Sequence, residues 1–136
     1  MLNIGVIGCG AIGRDHIRRL TDIVPGCQVV ACADYFEESA NKVAAQYEGM
    51  KVYKTGEELI HAPEVQAVVI TSSDPSHAGY VLEALKAGMT VDEIHEVTRI
   101  DRFFLAKLQK LADFETSIAS GIADDALYAR GKALGY

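Results

Sequence analysis

Residues 2–13 read LNIGVIGCGAIG. The opening part, LNIGVIG (2–8), is an apolar run closing in glycine, with the length and texture of a buried strand. The rest places Gly8, Gly10 and Gly13 in the spacing G-x-G-x-x-G. At that spacing the first glycine permits a tight turn out of the strand. The second lets backbone approach a pyrophosphate, and the third lets the following helix pack close to the sheet. The helix N-terminus then offers unpaired N–H groups and a partial positive charge to phosphates.

Alone the motif is a weak signal, and its surroundings give it weight. AIGRDHIRRLTDI (11–23) carries Ile12, Ile17 and Leu20 at near-helical spacing, and CQVVACAD (27–34) reads as a second strand. That strand ends on Asp34, 21 positions after Gly13, where a dinucleotide site places an acid to accept the ribose hydroxyls. A carboxylate there repels a 2′-phosphate, which favours NAD over NADP. The competing reading is a glycine turn that binds nothing. Strand, loop, helix and acid in register stand against it.

Downstream, FEESANKVAAQY (36–47) reads as a helix, KVY (51–53) as a short strand, GEELIH (56–61) as a short helix and VQAVVIT (65–71) as a third long strand. Pro75 opens a helix that Gly88 stops. Strands alternating with helices pair in parallel through right-handed crossovers, and their Val/Ile content suits strands covered on both faces. Thr71, Ser72, Ser73 and His77 follow the third long strand, at the carboxyl edge where open α/β sheets bind ligands. They read equally as cofactor contacts and as a turn entering a helix. Cys9, inside the glycine loop, reads as a packed thiol rather than a reactive one. His95–Glu96 lacks the second histidine of a zinc site, because Arg99 stands in its place.

From Thr90 the texture is helical. Thr90 and Glu93 form a candidate capping box for a helix over 91–98. Asp101 caps a long helix over 102–119 with an apolar stripe of Phe104, Leu105, Leu108, Leu111, Ala112 and Ile118, ended by Gly121. Asp124 or Asp125 begins a last helix that Gly135 stops.

Composition bounds the rest. The chain has 136 residues, 49% apolar and 24% charged, with net charge −6. An acidic surface argues against nucleic acid. No apolar run reaches about 18 residues, so no membrane span is expected, and the N-terminus lacks the pattern of a signal peptide. Cys9, Cys27 and Cys32 have no metal-type spacing, which fits reduced thiols in a cytoplasmic protein.

The residues MLNIGVIGCGAIGRDHIRRL, ACAD and AVVITSSDPSHAGYVLEALKAG closely resemble the start of the Gfo/Idh/MocA oxidoreductases, and within them the inositol 2-dehydrogenases. The resemblance covers 1–88. It implies an NAD-binding Rossmann half, with Gly8, Gly10, Ala11, Ile12 and Gly13 at the pyrophosphate, Asp34 at the ribose and the loop 71–77 along the cofactor. That family continues with a strand, a Glu-Lys-Pro motif and a substrate domain. Here MTVDEIHEVTRIDRFFLAKL follows instead. It is similar to the helical oligomerisation region of the carbamoyl-phosphate synthetase large subunit, over 88–136.

Two partial resemblances meeting at Gly88 imply a chimera, and laboratory recombination is favoured over natural fusion because both partners are cut mid-domain. The expected fold is α/β: a truncated Rossmann parallel sheet of about four strands, order 3-2-1-4, over 1–88. A helical segment, 89–136, would pack on it or mediate oligomerisation. The expected function is an NAD-binding module without turnover. The alternatives are a folded chimera that binds no ligand and a residual NAD-dependent polyol dehydrogenase. A homodimer through the helices or the open sheet edge is the expected protein partner.

Overall fold

The computed structural model describes residues 1–121 and 125–134. Four strands, β1 (Leu2–Ile7), β2 (Cys27–Ala33), β3 (Lys51–Tyr53) and β4 (Ala67–Ile70), form one parallel sheet in the order β3-β2-β1-β4. The helices α1 (Ala11–Asp22), α2 (Glu37–Ala44) and α3 (Gly56–Ile60) connect them, and α4 (Asp74–Lys86) follows β4. The sheet is the expected truncated Rossmann arrangement. Its register shifts once, between Ile4 and Gly5, where β2 spends an extra residue at Val30.

Period-two alternation sorts the strands onto two cores. On one face Ile4, Val6, Val29 and Cys32 pack with Ile17 of α1 and with Ala40 and Val43 of α2. On the other, Ile7, Ala31 and Ala33 pack with Leu59 of α3. Both faces are covered, which explains why the strands are apolar throughout. β4 lies at the edge and, among the described residues, pairs with β1 alone, so its outer backbone groups are open to pairing.

At the other edge, Glu64 accepts hydrogen bonds from the Lys51 ammonium at 2.8 Å and the Tyr53 hydroxyl at 2.6 Å. These partners hold its carboxyl at about 2, below the ordinary 4.5. A folded-state value below the unfolded one stabilises the protein above pH 4.5, and that contribution is lost as pH falls from there through 2. Urea midpoints of the wild type should therefore fall more steeply across this window than those of Glu64→Gln. Parallel slopes would mean that the three groups do not interact in solution.

Two compact units emerge, Met1–Tyr80 and Val81–Tyr136. The division falls within α4 and not at Gly88, because Val81, Leu82 and Leu85 join a separate core with α5 (Val91–Thr98) and α6 (Arg102–Ala119). α4 ends at Lys86, and Gly88 just beyond it has a φ of +103°, which suits a residue without a Cβ. The capping box forms as expected: Glu93 N–H donates to Thr90 Oγ1 at 3.2 Å, and Thr90 N–H donates to Glu93 Oε2 at 2.8 Å. Asp101 caps α6 by accepting the Phe103 N–H at 2.7 Å.

The expected stripe on α6 is only partly the buried face. Leu105, Leu108 and Ala112 are buried, whereas Phe104 and Ile118 are exposed. Phe114, outside the stripe, is buried against Gly131 of α7 (Asp125–Leu134). The alternative helix start at Asp124 and the stop at Gly135 lie outside the described residues.

Candidate functional site: a cleft at the carboxyl edge of the sheet

A cleft of about 700 Å³ opens at the carboxyl ends of the strands, within the size range of small-molecule sites. Gly8, Gly10, Asp34, Thr71, Ser72 and Ser73 all line it. Residues that lie far apart in the chain meet there because parallel strands end on the same side of the sheet.

The three glycines differ in what surrounds them. Gly8 has φ +100°, and a Cβ on it would meet Ser72 N and Thr71 backbone at 2.6–2.8 Å. A Cβ on Gly13 would run into the Gly8 carbonyl oxygen. A Cβ on Gly10 would meet nothing within 4 Å. Gly8 and Gly13 are therefore demanded by packing, while the space beside Gly10 belongs to the cleft. Gly10 also stands at the N-cap of α1 without a capping side chain. The first N–H groups of that helix, from Ala11, Ile12 and Gly13, lack intrahelical partners by geometry. Ala11, Ile12 and Gly13 do not line the cleft wall itself.

Asp34 reaches back to the loop. Its Oδ2 accepts the Cys9 N–H at 2.5 Å and its Oδ1 accepts the Phe36 N–H at 2.8 Å. A carboxylate offers about four acceptor positions, so capacity remains for ribose hydroxyls. Thr71 is tied to backbone through its hydroxyl, which lies 2.8 Å from the Gly8 carbonyl oxygen and 3.1 Å from that of Ile7. Ser72 Oγ lies 2.7 Å from Ser76 Oγ, and His77 Nε2 lies 2.8 Å from the Ser72 carbonyl oxygen. His77 is outside the cleft lining and braces the turn.

Cys9 is 2% exposed, and its thiol is pushed above the ordinary range by a hydrogen bond with Cys32 and by burial. A protonated, enclosed thiol is a packing group and not a nucleophile.

The cleft also contains residues that no motif flagged. Tyr35 and Phe36 meet edge to face with ring centroids 5.2 Å apart. Lys54, Glu57 and Tyr80 also line the wall. The Tyr80 phenol is pushed up by burial and by the charges of Glu57 and Asp34. Among the described residues no cluster of metal-ligating side chains occurs, and no helix is long and apolar enough to cross a membrane.

A glycine loop with open space at its middle glycine, an uncapped helix N-terminus and an acid across the turn suit a nucleotide diphosphate and its ribose. The comparisons with known proteins match two families over overlapping parts of the chain. The family model described as carbamoyl-phosphate synthetase large chain, oligomerisation domain, matches residues 28–136. That match begins within β2, well upstream of the expected 88–136.

The inositol 2-dehydrogenase of Serratia proteamaculans (strain 568) is 50% identical over 91 residues, 66% of this chain and 27% of that protein. The inositol 2-dehydrogenase of Burkholderia cenocepacia (strain HI2424) is 47% identical over 92 residues, with the same shares. The chain thus spans about a quarter of the length of the curated relatives it matches.

Among solved structures, myo-inositol dehydrogenase from Lactobacillus casei, in complex with NAD(H) and myo-inositol, aligns with TM-score 0.63 and 31% identity over 73% of this chain and 32% of that one. A probable dehydrogenase from Thermotoga maritima aligns with TM-score 0.64 and 27% identity over 82% and 34%.

Proposed function

The chain belongs to the family of the carbamoyl-phosphate synthetase large-chain oligomerisation domain, and its sheet is homologous to the N-terminal part of inositol 2-dehydrogenases; on that premise we propose a chimeric, NAD-binding, self-associating protein without turnover of its own. The observation that carries the binding half is the open space at Gly10 in the cleft that Asp34 also lines. Gly8 and Gly10 backbone and the start of α1 would hold the pyrophosphate, and Asp34 would take the adenosine ribose. Ser72 and Ser73 stand further along the same edge. The cofactor, when bound, would supply the hydride acceptor.

Turnover needs more than this. A hydroxyl is oxidised only when a base is placed to take its proton and the substrate is held against the nicotinamide. Where the oxidoreductase family's lysine motif would follow Gly88, this chain has Met89–Glu96 and a helix. Self-association is supported by the description of the matching family and by the exposure of Phe103, Phe104, Ile118 and Tyr128 in the helical unit.

Calorimetric titration with NAD tests the binding half. The wild type should bind, and Asp34→Ala should bind roughly tenfold or more weakly, since hydrogen bonds to a charged group are lost. No NADH should form with myo-inositol. Absence of heat with any adenine nucleotide would sink the reading.

A further inference from the structure

We infer that Thr71 is a positioning residue of the glycine loop, holding the carbonyl end of the Gly8–Cys9 peptide plane so that the Gly8 oxygen stays out of the space a phosphate would take. The inference rests on the proposed nucleotide reading of the cleft.

The plane is held at both ends by side chains from different strands' ends. At its carbonyl end, the Thr71 hydroxyl lies 2.8 Å from the Gly8 oxygen. At its amide end, the Cys9 N–H donates to Asp34 Oδ2 at 2.5 Å. Thr71 is itself fixed, because its N–H donates to the Ile7 carbonyl at 2.7 Å and so extends the β1–β4 ladder. The Gly8 N–H donates to the Ala33 carbonyl at 2.8 Å on the β2 side.

The need for such restraint follows from the loop's chemistry. A backbone anion site works only while carbonyl oxygens are turned away from the anion, and in this plane the N–H is already committed to Asp34, so the Gly8 oxygen is what must be kept out. Gly8, at φ +100°, has no Cβ to resist rotation of the adjoining plane, so hydrogen bonds must supply the resistance. Without the Thr71 hydroxyl the Gly8 oxygen loses its side-chain donor. The plane is then held only at its amide end, by Asp34, and about that end the Gly8 oxygen can tilt toward the cleft, where its negative end would repel a diphosphate.

Thr71 does this without serving the ligand directly. Its one hydroxyl proton is shared between the Ile7 and Gly8 carbonyls. It is also wedged between two glycines, with Oγ1 only 2.9 Å from where a Cβ on Gly13 would sit.

Thr71→Val keeps the side chain's shape and deletes the hydroxyl, and Thr71→Ser keeps the hydroxyl. NAD and adenosine affinities are measured for each by NMR titration. Thr71→Val should weaken NAD roughly tenfold, the scale of one lost hydrogen bond beside a charge. Adenosine brings no phosphate to the loop and should change by less than about threefold, and Thr71→Ser should restore NAD to within about threefold of wild type.

If NAD and adenosine weaken together, or neither weakens, Thr71 only packs and the inference falls. If Thr71→Val loses its folded circular dichroism spectrum, Thr71→Ala deletes the same hydroxyl and carries the comparison. Wild-type protein that binds neither compound overturns the nucleotide reading itself, a result distinct from wild-type affinity that Thr71→Val leaves unchanged.

Discussion

Gly10→Ala leaves the protein as stable as the wild type to within about 1 kcal/mol yet lowers its NAD affinity roughly tenfold or more, whereas Gly13→Ala unfolds it or comes close. The split follows from what each new Cβ would meet. At Gly10 there is no protein atom within 4 Å and the φ of −68° is ordinary for alanine, so the methyl enters only the space that a pyrophosphate would need. At Gly13 the methyl would drive into the Gly8 carbonyl oxygen and against Thr71 Oγ1. Both belong to the strand ends and cannot move aside. Overpacking of this kind costs about 1–3 kcal/mol and more where backbone is the obstacle, a large share of a typical stability of about 5–15 kcal/mol. Thermal melts paired with calorimetry separate the two. If Gly10→Ala binds NAD as the wild type does, the loop is a turn and not a cradle.

The same contrast bears on what a reader of the sequence can find. Gly8, Gly10 and Gly13 were legible because a dinucleotide loop is a local motif whose spacing is dictated by one turn of chain, and Asp34 because one helix and one strand fix its distance from that loop. Lys54, Glu57 and Tyr80 were not, since they reach the cleft from a strand end and from two helices, α3 and α4, with no motif of their own. The rule that ligands sit at the carboxyl ends of strands applies to β3 as much as to β1 and β4, and would have pointed to Lys54 and the start of α3.

Helix ends were legible where side chains enforce them, as at Thr90 and Asp101. The stripe on α6 misled because helical periodicity assumes one buried face. α6 has two: Leu105, Leu108 and Ala112 face the α4–α5 core, and Phe114 faces Gly131 of α7. A helix held on opposite sides spreads its apolar residues around the axis, and sequence spacing alone cannot assign each to its side.

That two-sidedness sets the largest effect expected in the helical unit. Leu105→Ala should cost about 2–5 kcal/mol, because Leu105 is 0% exposed and packs among Leu85, Ile94, Leu108 and Ala112. The helices around it cannot compensate. α5 spans only Val91–Thr98, and isolated helices shorter than about 12–15 residues are marginal in water. The unit should therefore lose helical circular dichroism at a clearly lower temperature.

Its neighbour supplies the control. Phe104 is 54% exposed, so Phe104→Ala should shift stability by only about 0.5 kcal/mol. If this face carries self-association, Phe104→Ala should weaken it in sedimentation velocity at matched protein concentration. Equal stability losses at the two positions would mean that α6 is rotated from the orientation described. An unchanged sedimentation profile for Phe104→Ala would instead remove the exposed aromatic face from the proposed assembly, and leave the open edge of β4 as the surface through which two copies would meet.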